Sequence, residues 1–147
     1  MIIQITDINL DNRKQISHAT NKVIYGFWIS FKHSKFEGTA YFVPYNCKAE
    51  EIIFNKDYFV EISYETILTY VKTENTTPSI EYNSEDESFN LRGKISFISD
   101  DDEVAVLNIW NTEFTFDSDE IDIKELIIND YIEIRIKDLI LWDEGIF

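Results

Sequence analysis

The sequence predicts a mainly β, antiparallel barrel or sandwich, and three observations carry that prediction. Apolar residues recur at every second position in segment after segment. Ile, Val, Phe, Tyr and Thr fill those segments, the residues that suit a half-buried pleated surface. Glycine and proline are scarce, at 4 and 2 in 147 residues, so the chain is neither linker-rich nor disordered.

Taken in order, the first strand is expected over 2–10, where Ile3 and Ile5 alternate with polar neighbours. The next two, 22–32 and 38–45, flank the turn residues His33-Ser34-Lys35, with Gly38 close by to relax the backbone. Residues 48–54 suit one helical turn, and strands are expected over 57–64 and 66–72. The polar stretch 73–90, TENTTPSIEYNSEDESFN, reads as a long loop or linker around Pro78.

Strands resume at 92–98 and 103–110, joined through Ser99-Asp100-Asp101-Asp102, and at 113–117 after an Asn111-Thr112 turn. Ser118-Asp119-Glu120 can cap one short helix near 119–128, with Ile123, Leu126 and Ile127 on one face. Its β-branched content weighs against it. The clearest alternation closes the chain: Ile132, Ile134 and Ile136 face one way while Glu133, Arg135 and Lys137 face the other, giving strands over 131–137 and 138–142. Trp142 at the end of that run reads as core or barrel closure before it reads as a partner anchor.

A chain of this length makes a single compact β domain over 1–147, with enough apolar material for a core without disulfide or metal. Residues 51–62 and 125–134 echo each other: two or more strands come first, then a short connector, then an Asp-Tyr entry into an alternating strand. That echo is compatible with a pseudo-repeat of two halves, 1–75 and 76–147, and equally with convergence of Ile-rich strands. The second half alone runs strand, strand, strand, short helix, strand, strand. This is the element order of an OB-type barrel, so two OB-like five-stranded halves satisfy the pattern, as a small sandwich would. The likeness is topological and brings no function with it.

Charge is distributed unevenly. Residues 1–75 hold 9 acids and 8 bases, while residues 76–147 hold 19 acids and 5 bases. A field of one sign repels nucleic acid and anionic membrane and attracts basic proteins or cations. The single cysteine, Cys47, cannot form an internal disulfide and suits a reducing compartment. The start MIIQITDINL lacks the pattern of a secretory signal, and no run approaches the roughly 20 apolar residues of a membrane helix, so a cytoplasmic protein of a bacterium is expected.

Catalytic and cofactor motifs are absent. Cys47, His18 and His33 are not spaced as a nucleophile with its base. Two histidines and one cysteine fall short of the zinc patterns. The acidic runs lack the central Gly and distal Glu of an EF-hand loop, so solvated turns are expected there and no metal is assigned. No glycine cluster could cradle a phosphate, and no cofactor is expected. Single-stranded nucleic acid would need a basic groove beside the aromatics, which is missing. Carboxylates abound without any pair standing out for glycoside chemistry.

A binding protein remains, and an enzyme is not expected. The leading expectation is a small acidic inhibitor of the immunity-protein type, covering the active site of a basic, nuclease-like toxin domain. The residues expected to meet that partner are Glu85, Asp86, Glu87, Asp100, Asp101, Asp102, Glu103, Asp117, Asp119, Glu120 and Asp122, all in expected loops. The alternatives are a β-rich subunit of a phage-related or other assembly, and a DNA-mimic inhibitor of a defence enzyme. Oligomeric state is left open.

Overall fold

The computed structural model describes residues 1–16, 24–46 and 49–145. Among these residues nine strands form: β1 (Ile2–Ile16), β2 (Ile24–Lys32), β3 (Glu37–Val43), β4 (Asp57–Lys72), β5 (Ser79–Asn83), β6 (Ser88–Ile98), β7 (Val104–Ile109), β8 (Thr112–Asp117) and β9 (Tyr131–Asp143). Among the described residues helix is confined to two 3-10 turns, Ala49–Glu51 and Ile123–Glu125. The fold is mainly β and antiparallel, as the alternation requires.

The chain packs as two compact units, Met1–Ser63 with Asp138–Phe147, and Tyr64–Lys137. In the first unit β1 pairs with β2 and with the start of β4, and β2 pairs with β3. The end of β9 then lies parallel to β3, Tyr41 opposite Ile140 and Val43 opposite Trp142. Glu144 N–H donates to the Phe59 carbonyl at 3.0 Å, joining β9 back to β4. The hydrogen-bonded order β1-β2-β3-β9-β4 therefore returns to β1, its last strand arriving from the far end of the chain. Phe27, Ile29, Phe31, Phe42, Tyr58 and Leu141 fill this ring.

In the second unit the order is β8-β7-β6-β9-β4, with β5 beside the first part of β6. Thr73 N–H donates to the Tyr131 carbonyl at 2.9 Å, which ties the end of β4 to the start of β9. Phe89, Leu91, Leu107, Phe116, Ile134 and Ile136 form its core.

The two units use the same local devices. One strand in each carries a one-residue irregularity, after Ile5 in β1 and after Ile95 in β6. The extra residues are Thr6 and Ser96, and their hydroxyls donate to partner-strand carbonyls, Ser30 at 3.3 Å and Val106 at 3.4 Å. After each 3-10 turn an asparagine takes the left-handed conformation, Asn55 at φ 59° and Asn129 at φ 79°. The Asn55 N–H donates to the Ile5 carbonyl at 3.0 Å and the Asn129 N–H to the Ile95 carbonyl at 2.8 Å. The 51–62 and 125–134 segments thus enter their strands by one mechanism.

Several expectations are corrected. The pairs 57–64 with 66–72, and 131–137 with 138–142, are single strands β4 and β9. Each passes from one unit into the other near its middle; in β9 the buried side moves from Ile132, Ile134 and Ile136 to Leu139 and Leu141, and the change falls at Asp138, which has φ 58°. The expected loop 73–90 contains β5 and the first residues of β6, with Ile80 and Phe89 buried among polar neighbours. The helix near 119–128 is replaced by turns and the 3-10 turn Ile123–Glu125, because Ile121, Ile123 and Leu126 reach the core at non-helical spacing while Ile127 and Ile128 stay exposed. The β7–β8 turn is Trp110-Asn111, both at positive φ (49° and 68°), one residue earlier than expected. No helix of the described residues is long and apolar enough to cross a membrane.

Candidate functional site

All eleven acids expected to meet a partner belong to the second unit, which holds 18 acids and 6 bases. They do not form one patch. Glu85, Asp86 and Glu87 sit in the β5–β6 turn at the start of β6, and Asp100–Glu103 sit in the β6–β7 turn at its end. The 11 residues of β6 separate those turns by about 33 Å at ~3.3 Å per residue. The β8 end does join the second group. Val104 lies opposite Asp117, and Ser118 N–H donates to the Glu103 carbonyl at 2.9 Å. The loops 99–103 and 117–122 therefore share one end of the unit.

Within the β5–β6 turn Asp86 serves the fold. Its carboxylate pairs with Arg135 and accepts the Ser88 hydroxyl at 2.6 Å, and Arg135 also donates to Ser88 Oγ at 3.0 Å. These bonds, the Ser88 hydroxyl first, hold the Asp86 carboxyl below the usual carboxylate range. Glu85 and Glu87 are exposed, Glu87 with φ 58° closing the turn.

In the β6–β7 turn Asp101 plays the corresponding part. It accepts the Ser99 hydroxyl at 2.7 Å and the Glu103 N–H at 3.2 Å, and its carboxyl is likewise held low, the Ser99 bond being the main cause. Ser99 Oγ in turn accepts the N–H groups of Glu103 and Val104. Asp102 takes the left-handed conformation at φ 55°. Asp100, Asp102 and Glu103 project into solvent, as does Asp119, and none of them joins an ion pair among the described residues.

Glu120 bends back onto its own strand. It accepts the Asp117 N–H at 3.1 Å and the Tyr64 hydroxyl at 2.9 Å. Tyr64 also donates to the Thr115 carbonyl at 3.1 Å and packs on Phe116 with ring centroids 5.3 Å apart. Burial, and next the Glu120 carboxylate, hold the Tyr64 proton far above the ordinary phenol range. Asp122 N–H donates to the Tyr70 hydroxyl at 3.1 Å. Tyr64 and Tyr70 were not among the expected site residues. The signal for them is spacing: six apart, they share one face of a strand.

These two hydroxyls stand where the first unit has a ladder. There the third strand and the fifth pair directly, but β8 and β4 do not pair. The outer edge of β8 is left open. So is the adjoining run of β4, where Leu68, Tyr70 and Val71 are 43%, 41% and 57% exposed.

No family model, curated protein or solved structure matches this chain.

The remaining expectations concern other places. His33 lies in the β2–β3 turn, its Nδ1 accepting the Lys35 N–H at 3.2 Å and its ring 4.7 Å from that of Phe36. Burial, then the chain's amino terminus, lowers its pKa. Cys47 and His18 lie outside the described residues, as do Ile146 and Phe147. Trp142 donates from Nε1 to Ser63 Oγ at 2.9 Å and packs against Ile16, Val43 and Ile140. Among the described residues no three of His, Cys, Asp and Glu are grouped to hold a metal ion.

Proposed function

We propose that this protein is a small acidic inhibitor of the immunity type, which binds a basic, nuclease-like toxin domain and covers its active site. The observation that carries this reading is the convergence of Asp100, Asp102, Glu103 and Asp119 at one end of the second unit, with no ion pair among the described residues. Carboxylates with no cation beside them project a field that an encounter with a basic surface can use. Nuclease domains are basic because they bind phosphates, so opposite fields steer the approach and raise the association rate. Asp101 and Glu120 hold turns in place behind this surface, while Asp86 holds the β5–β6 turn at the other end of β6.

The test is association with a basic nuclease toxin domain from the same cell, measured from low to moderate salt. The variant reverses Asp100, Glu103 and Asp119 to lysine and leaves Asp101 and Glu120 intact. The on-rate at low salt is expected to fall by about tenfold or more, and its salt dependence to flatten. An unchanged on-rate and slope would remove the steering idea. A subunit of a larger assembly is the second reading, favoured by the open edge of β8. Sedimentation over a range of concentrations separates them, since a stable homo-oligomer supports the assembly and a monomer the inhibitor.

A further inference from the structure

The missing ladder in the second unit has a directional consequence for the main chain. The β7–β8 hairpin has a two-residue turn, so Ile109 and Thr112 form its first hydrogen-bonded pair. Bonding then alternates, and Phe114 and Phe116 point their N–H and C=O groups at β7. Glu113, Thr115 and Asp117 point theirs away. Two recorded bonds agree: the Thr115 carbonyl accepts the Tyr64 hydroxyl, and the Asp117 N–H donates to Glu120. Glu113 N–H, Glu113 C=O and Thr115 N–H have no strand partner among the described residues. The corresponding edge of β3 in the first unit is paired with β9.

We propose that the outer edge of β8 takes an extended basic segment of a protein partner as an added strand. This rests on the inhibitor reading and names how its partner is held. Charge selects the occupant: Glu113, Asp117 and Asp119 are exposed along and beside this edge. A strand that alternates lysine or arginine with an apolar residue presents its bases to these acids. Its main chain supplies the carbonyl and N–H groups that Glu113 and Thr115 lack.

The probe is a capped ten-residue peptide alternating Lys and Val, compared with a twin N-methylated at alternate amides, which keeps the charge but cannot add as a strand. Amide exchange at Glu113 and Thr115 is followed on the full chain at low salt. The expected result is at least tenfold slower exchange at both amides, with the twin binding at least tenfold more weakly. Thr115→Pro removes an N–H that β7 does not use and is expected to abolish peptide binding. If that variant does not fold, the twin peptide still decides. Equal binding of the two peptides, or unchanged exchange at Glu113 and Thr115, overturns strand addition. If exchange is unchanged while the Asp100, Glu103 and Asp119 reversal still slows a toxin domain, strand addition falls and the inhibitor reading stands.

Discussion

Tyr64 shows how one side chain can be tied to both chemistry and fold. Its hydroxyl is shared between the Thr115 carbonyl and the Glu120 carboxylate, and its ring covers Phe116. Ionising the phenol would put two negative charges side by side, so the folded state retains the proton well beyond the ordinary range. The sign of the pH effect follows. A raised pKa stabilises the fold fully below the unfolded value, roughly 10 for tyrosine, and that stability is lost as pH rises beyond it. Tyr64→Phe removes both bonds and is expected to cost about 1 kcal/mol at neutral pH. Above pH ~10 the gap between wild type and variant should narrow, because only in wild type does the unfolded chain gain by ionising residue 64. Denaturant unfolding of both proteins at pH 7 and in steps above 10 checks this, and a gap that stays constant or widens would contradict it. The eleven acids were visible in the sequence because charge is counted directly. Their division of labour was not, since the serines and tyrosines that engage Asp86, Asp101 and Glu120 lie anywhere from 2 to 56 residues away.

Strands carry their own constraints. Gly93 stands on β6 between the stretch that pairs with β5 and the stretch that pairs with β7. A Cβ there would lie 2.4 Å from the Asn108 carbonyl oxygen and 2.6 Å from Ile109 Cγ1. Because the first neighbour is backbone, the ladder must move, and Gly93→Ala is expected to destabilise by about 1–3 kcal/mol. Gly26 makes a contrast, its nearest neighbour being the end of the Ile16 side chain at 2.7 Å, which can swing aside. Gly26→Ala should cost clearly less. Comparing both midpoints in urea tests the ordering, and equal losses would contradict it. Strands such as β7 and β8 were legible because alternation held from end to end. The β5 strand was not, since its one buried apolar residue, Ile80, sits among polar positions that face water. The short helix was expected on composition and capping, and tertiary burial of Ile121 and Ile123 won instead.

At the scale of the whole molecule, chain order and packing order differ. Strands one to four of the first unit are β1, β2, β3 and the start of β4, but the fifth is the end of β9. Alternation read along the chain shows each strand and not which neighbour it will find, so this arrangement was not legible in advance. It makes a specific prediction for a chain ending at Lys137. The second unit, 64–137, would lose no residue. The first would lose Leu139 and Leu141 from its core, the parallel partners of Tyr41–Val43, the Glu144 bond to Phe59 and the Trp142 bond to Ser63. Two buried leucines alone are worth roughly 3–6 kcal/mol, of the same order as the stability of a small domain. Hydrogen exchange on the truncated chain should therefore show β1, β2 and β3 unprotected while β6 and β7 keep slow amides. Protection lost equally from all these strands would mean that the second unit is not stable without the first. Protection retained in β2 and β3 would mean that the ring does not need its fifth strand, and that β9 contributes little to the unit it closes.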